Sequence, residues 1–331
     1  MAGFNLNDVD DVLKYQKIEE IETFNNQYNN TEELPEKSDF KNILNYLEEI
    51  FLECSTWDTY KRKNAELEIA RFISIFSKFG NQLSNNEHKL VKKIALNYIQ
   101  NIDYRKTEYE YGNLSERVSV YGPDPRNISV LTLLRIMSTF KEKDVEDIVL
   151  KLMFDNEKII RFQSLKGLKY FWKERREAYW NTVNKLSSVE SDGRCFYELL
   201  LAAYPHEIMV ENQKDVEDLV ISVLSRLNTY TGTVAIEIWK VLVVILLKLI
   251  IYQDSSRARM LVSENKHIKA FSRSLIFEIM KIIDPHNENN NYKDNPEKHN
   301  ELINILFELT TYRFERIHAK HLDSDYDLED F

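Results

Sequence analysis

Apolar residues recur with helical spacing along almost the whole chain. In residues 38–53 the i, i+3, i+4, i+7 pattern of an amphipathic helix is met by Phe40, Ile43, Leu44, Leu47, Ile50 and Phe51. A further helix is predicted at about 6–23, and similar patterns predict helices over 59–79, 87–102, 128–140, 144–154, 157–172, 194–204, 213–228, 233–252, 267–283 and 297–319. No stretch alternates convincingly with the period of two that is typical of a strand. The patterning therefore predicts an all-α fold.

The turn-forming residues point the same way. The 331 residues include only seven glycines and six prolines. Sandwiches, barrels and βαβ folds use these residues at many tight turns, so their scarcity favours long helices joined by few sharp connections.

Two helical patterns follow each other closely in residues 144–172, where Asp155 and Asn156 form a short turn between them. This segment resembles a HEAT repeat. In that family, an aspartate in the turn and an arginine early in the second helix bond within and between repeats, and Asp155 and Arg161 stand at these positions. Gly167 matches a small position where helices approach closely. The resemblance implies structural roles for these three residues, and an α-solenoid of stacked antiparallel helical hairpins.

The remaining hairpins match this pattern only in architecture, so an irregular array is also expected. We predict an acidic N-terminal helix and linker over residues 1–35 and a HEAT-like array over 36–320. The array is interrupted by two predicted loops, at 103–127 and 284–300, and followed by an acidic tail at 321–331. The longer loop, with its four tyrosines, is interpreted as an insertion between hairpins.

Charge and cysteine content predict a cytoplasmic protein. The net charge of −10 divides into −10 for residues 1–60, +5 for 61–320 and −5 for 321–331. Global acidity argues against bulk binding to nucleic acid or to an anionic membrane, because phosphate binding needs positive charge. The most apolar stretch, 234–252, contains three charged residues and predicts a buried helix, not a membrane span. The two cysteines, Cys54 and Cys195, are expected to be buried thiols. The N-terminal residues lack the basic and apolar regions of a signal peptide.

Known catalytic motifs are absent from the sequence. It contains no GxxxxGK[ST], GxGxxG, GxSxG, CxxC or HExxH pattern, so we expect a non-enzymatic protein without a cofactor or metal. His318 and His321 precede three aspartates with metal-ligand spacing, and we interpret this segment as a fraying acidic helix end.

The strongest candidate binding site is a basic segment with interleaved aromatic residues. Residues 158–185, called here the basic aromatic patch, hold eight Lys or Arg against two Glu. Bases with exposed aromatics are typical of nucleic-acid surfaces, while Tyr, Trp and Arg are also enriched at protein interfaces. The candidate binding residues are Lys166, Lys169, Trp172, Lys173, Arg175, Arg176, Tyr179 and Trp180. Burial of the aromatic residues in the core is an equally open interpretation.

These observations favour a scaffold or adaptor that binds a protein or peptide partner. A nucleic-acid-binding protein, such as a HEAT-like glycosylase acting on alkylated DNA bases, is an alternative that the net charge disfavours. An immunity or regulatory protein that neutralises a basic partner through the acids of residues 1–60 is a second alternative.

Overall fold

The computed structural model describes residues 6–28, 36–100, 124–227, 232–284 and 296–322. Within these ranges the chain forms sixteen α-helices and two 3-10 helices, and no strand. The prediction of an all-α fold is confirmed. None of the described helices is sufficiently long and apolar to cross a membrane, and residues 234–252 lie inside one buried helix.

The helices divide between two compact units whose boundary falls between Thr182 and Val183, inside the predicted 36–320 array. The first eight helices belong to unit one: α1 (Leu6–Tyr28), α2 (Lys37–Glu53), α3 (Thr59–Phe76), α4 (Asn85–Gln100), α5 (Pro125–Phe140), α6 (Lys143–Leu152), α7 (Lys158–Leu165) and α8 (Leu168–Glu174). Helix α9 (Arg176–Val189) crosses the boundary. The others belong to unit two: α10 (Gly193–Ala203), α11 (His206–Glu211), α12 (Gln213–Leu227), α13 (Gly232–Gln253), α14 (Ser256–Asn265), α15 (Lys269–Ile283) and α16 (Pro296–Leu322). The 3-10 helices are Cys54–Thr56 and Ser77–Gln82.

Side-chain caps fix where several helices begin. The carboxylates of Asp58, Asp124 and Asp192 accept backbone N–H bonds at the first turns of α3, α5 and α10, and the Ser255 hydroxyl does so for α14. Each cap satisfies a donor that the helix itself cannot pair, a contribution of about 1 kcal/mol. At the other end of α5, Lys141 adopts a left-handed conformation with φ of 53° and stops the helix.

In unit one, alternate helices lie side by side. Helix α3 packs against α1 and α5, and α5 packs against α7, while α2 contacts α4. Because α5 also touches α4 and α6, it is covered on most sides, and apolar residues appear all around it. Helix contacts of this kind fit a helical-repeat arrangement.

Unit two follows the same pattern around α13. This 22-residue helix packs against α10, α12, α14 and α15, and α15 in turn packs against α16. Burial on several sides explains why its sequence is nearly continuously apolar instead of amphipathic.

The boundaries of several elements differ from the predicted ones. Residues 25–28, 124–127 and 296–300 lie in or directly before helices, and α16 continues to Leu322. Residues 29–35 of the predicted linker, 103–123 and 285–295 of the predicted loops, and 323–331 of the predicted tail lie outside the described residues. The single helix predicted at 157–172 breaks at Lys166–Gly167 into α7 and α8.

Candidate functional site

Gly167 lies at the break between α7 and α8 and packs closely against α5. A Cβ atom on this residue would lie 2.4 Å from Cδ2 of Leu134 and 3.4 Å from Cε of Met137, both on α5. Only glycine leaves room for this approach of the two helices. The break precedes α8, the helix that carries Lys169, Trp172 and Lys173 of the basic aromatic patch.

Three aromatic rings support α8 and the start of α9 from within. Trp172, Tyr179 and Trp180 meet edge to face, with ring centroids 5.0–6.3 Å apart. Trp172 is 5% exposed, Tyr179 is fully buried, and Trp180 is half-buried. The prediction that Trp172 and Tyr179 present a contact surface is therefore wrong. Their rings face the core because apolar burial outweighs any gain from exposure.

Two buried polar atoms in this cluster have no hydrogen-bond partner. They are the hydroxyl oxygen of Tyr179 and the indole nitrogen of Trp180. Burial raises the pKa of the Tyr179 hydroxyl well above its usual value of 10, so this group stays protonated. Each unpaired donor lowers the stability of the cluster by about 1–3 kcal/mol.

Arg175 and Arg176 of the patch contact other side chains of the protein. The Arg176 guanidinium lies 4.0 Å from the centroid of the Trp172 ring, a cation–π contact. The Arg175 Nη1 donates to Asp147 Oδ1 at 2.5 Å and lies 3.7 Å from Glu146 Oε2. Two carboxylates of α6 thus already offset the charge of Arg175, which was predicted to bind a partner.

The lysines of the patch differ from the arginines in their contacts. Lys166 is half-buried, with its ammonium group 4.6 Å from the centroid of the Phe162 ring. Lys169 and Lys173, four residues apart on α8, are both exposed. Neither makes an ion pair within the described ranges. These two residues, called here the lysine face, are the part of the patch that the structure leaves available.

The residues of the turn between α6 and α7 lie together. The Arg161 Nη1 donates to the backbone oxygens of Asp155 and Asn156, at 2.8 and 3.0 Å, and the Asp155 carboxylate accepts from the Glu157 N–H at 2.8 Å. These bonds fix the turn between α6 and α7.

Sequence reasoning missed a repeated arrangement, called here the acid–arginine junction. Residues 143–147 and 214–218 are both KDVED, on α6 and α12. Arg257, at the start of α14, binds Asp218 at 2.7 Å and lies 3.7 Å from Glu217, as Arg175 does with Asp147 and Glu146. The sequence contains a signal for this arrangement, because the segment KDVED occurs twice, 71 residues apart.

Within each junction the glutamate is buried and takes a hydroxyl donor from the following hairpin. Glu146 accepts from the Tyr170 hydroxyl at 2.9 Å, and Glu217 accepts from the Ser255 hydroxyl at 2.6 Å. Both glutamates are less than 10% exposed. A buried carboxylate is stable only with such partners, so the junctions stabilise the packing of successive hairpins.

The acids of the N-terminal region do not form one free surface. Among the described side chains, Glu48 binds Lys93 at 2.7 Å, Glu49 binds Lys17 at 3.0 Å, and Glu20 accepts from the Tyr46 hydroxyl at 2.7 Å. This does not favour neutralisation of a basic partner. In the described ranges, no group of three or more His, Cys, Asp or Glu side chains could hold a metal ion.

Both cysteines are buried free thiols. Burial raises the pKa of the Cys54 thiol to about 12, with a further contribution from the carboxylate of Glu66. The thiolate needed for nucleophilic chemistry is therefore unfavourable at Cys54.

No protein-family model, curated protein or solved structure matches the chain.

Proposed function

We propose that the chain is a non-catalytic helical-repeat scaffold of the HEAT type that binds an acidic protein or peptide segment through the lysine face. The observation that carries the proposal is the pair Lys169 and Lys173, both exposed on α8 and without an ion pair within the described ranges. The two buried thiols are in keeping with a protein of the cytoplasm.

The spacing of the lysine face suits a peptide. Side chains four residues apart on a helix lie about 6 Å apart at Cβ, which matches carboxylates on alternate residues of an extended segment. Lysine side chains adapt their length at such a surface while keeping the charge in water. The peptide would be held mainly by charge, so its affinity is expected to fall as salt is added.

Rigid support under the lysine face lowers the entropic cost of binding. Trp172 contacts both Tyr179 and Trp180, and Arg176 covers its ring. Side chains and backbone that are already ordered lose less freedom when a partner binds.

The same burial disfavours nucleic acid as the ligand. Single-stranded nucleic acids gain affinity by stacking bases on exposed aromatic rings. Trp172 and Tyr179 are buried and offer no such platform. The net charge of −10 also opposes attraction of phosphates.

The test is a titration with a fluorescein-labelled peptide of alternating glutamate and alanine, followed by fluorescence anisotropy at low salt. Reversing both charges, with Lys169→Glu and Lys173→Glu, is expected to weaken binding at least about tenfold. The control reverses two exposed lysines elsewhere, Lys63→Glu and Lys214→Glu, on α3 and α12. Both double variants have the same net charge, so only the position differs.

A labelled oligothymidine is titrated in parallel. Equal weakening by the two double variants would show that net charge alone governs binding, and would refute the lysine face. Tighter binding of the oligothymidine than of the peptide would refute a peptide ligand.

A further inference from the structure

The last hairpin that the structure describes, α15 with α16, packs onto the preceding hairpin by one side. The buried residues Phe271, Leu275 and Ile279 form one stripe of α15, which packs against α13. The Phe271 ring meets Trp239 of α13 at 5.5 Å between centroids.

The opposite side of α15 is apolar and exposed. Phe277 and Met280 are 58% and 54% exposed. At 100° per residue, both lie across the helix from Leu275 and so point away from α13. They line an open groove of about 960 Å³, together with the adjoining Ile276 and Ile283.

Helix α16, which packs against α15, also exposes apolar side chains. Its Lys298 binds Asp254, in the turn between α13 and α14, at 2.5 Å. Its Glu301 binds Arg259, on α14, also at 2.5 Å. Ile303 and Phe307 are 40% and 69% exposed, and their helical positions place them on the flank opposite Glu301. Phe277, Met280, Ile303 and Phe307 are called here the outer face.

Soluble proteins rarely leave a large contiguous group of apolar side chains exposed unless the surface binds a partner. The four side chains expose roughly 100 Å² each, so the outer face approaches the size of the largest apolar patches found on monomers.

The exposed charges of the two helices that carry the outer face have opposite signs. The exposed charged side chains of α15 are basic, namely Lys269, Arg273 and Lys281, and Lys281 also binds the less exposed Glu278 of the same helix at 2.9 Å. Over residues 296–312 of α16, where side chains are described, all are acidic, namely Glu297 and Glu308. A two-fold axis that sets α15 of one copy against α16 of another therefore brings opposite charges together.

We propose that the outer face binds a second copy of this chain in a two-fold symmetric homodimer. The apolar residues form its centre, and the bases of α15 face the acids of α16 from the partner across its border. This inference is independent of the lysine face, which lies in the other unit.

The test is sedimentation of the full chain over a micromolar concentration range, for the wild type and for Phe277→Asp with Phe307→Asp. The wild type is expected to dimerise, and the double variant to dissociate about a thousandfold more readily, because each change occurs twice across the axis. The control Tyr60→Asp alters an 85% exposed aromatic of α3 and is expected to leave the dimer intact. Circular dichroism checks that each variant keeps its helical content.

A milder variant separates dimerisation from folding. Glu308→Lys places a base against the bases of the partner and is expected to weaken the dimer at least about fivefold, whereas Glu264→Lys, on exposed α14 surface, is not. A wild type that stays monomeric, or a dimer that survives both outer-face variants, would overturn the proposal. So would a dimer that forms only after residues 323–331 are removed, since that result would assign the outer face to the chain's own end.

Discussion

The acid–arginine junction of unit two allows a quantitative test of what holds successive hairpins together. The Glu217 carboxylate accepts a buried bond from the Ser255 hydroxyl, accepts another from Gln213 at 2.7 Å, and lies near Arg257. Glu217→Ala removes all three contacts and leaves the cap of α14 with an unpaired hydroxyl. A hydrogen bond to a charged group contributes about 1.5–3 kcal/mol, so we expect a total loss of about 3 kcal/mol. Glu217→Gln keeps an acceptor for Ser255 and is expected to lose only about 1 kcal/mol.

The assay is urea unfolding followed by far-UV circular dichroism, with hydrogen exchange of α12 and α14 to locate the effect. The control Asp218→Asn, in the exposed part of the same junction, is expected to lose less than about 1 kcal/mol, because water screens that pair. Equal losses for Glu217→Gln and Glu217→Ala would refute the reasoning, since the hydroxyl bond would then not be the main contribution. A loss below about 1 kcal/mol for Glu217→Ala would refute it as well.

Three further predictions concern stability. Gly167→Ala forces its new methyl group against Leu134 and is expected to destabilise unit one by about 1–3 kcal/mol, measured by urea unfolding. Asp124→Ala removes the cap of α5 and the carboxylate 3.7 Å from buried Arg126, so thermal melts should show a loss of at least about 1 kcal/mol. Bonds from a lysine and an arginine lower the pKa of Asp254 to about 2, below its usual 3.8, so its stabilising effect is present above pH 4 and is lost as the pH falls towards 2. Asp254→Asn, which tolerates the same left-handed backbone, should therefore destabilise at pH 6 and have no effect at pH 2, in melts at both pH values.

The helices were predictable because burial of one side imposes a period that the sequence displays. The ends of the helices were harder to predict, because they depend on contacts between residues that are distant in the sequence. The break after Lys166 is an example, because it lies where Gly167 packs closely against Leu134 of α5. No local pattern in residues 157–172 contains that information.

The candidate site was predictable as a segment, but not as a surface. Eight bases and six aromatic residues marked residues 158–185, yet composition does not say which side chains turn inwards. The structure buries Trp172 and Tyr179, ties Arg175 to α6, and leaves Lys169 and Lys173 on the outside. Comparing the chain with itself would have revealed the second KDVED segment, and with it the partner of Arg175.

The two acid–arginine junctions also bear on how such a chain changes length in evolution. Each junction needs only an acidic pair on one helix and an arginine at the start of a helix in the next hairpin. A duplicated or deleted hairpin that carries both halves would join its neighbours without new side chains. Related proteins are therefore expected to gain and lose whole hairpins, while insertions within a hairpin stay confined to its turns.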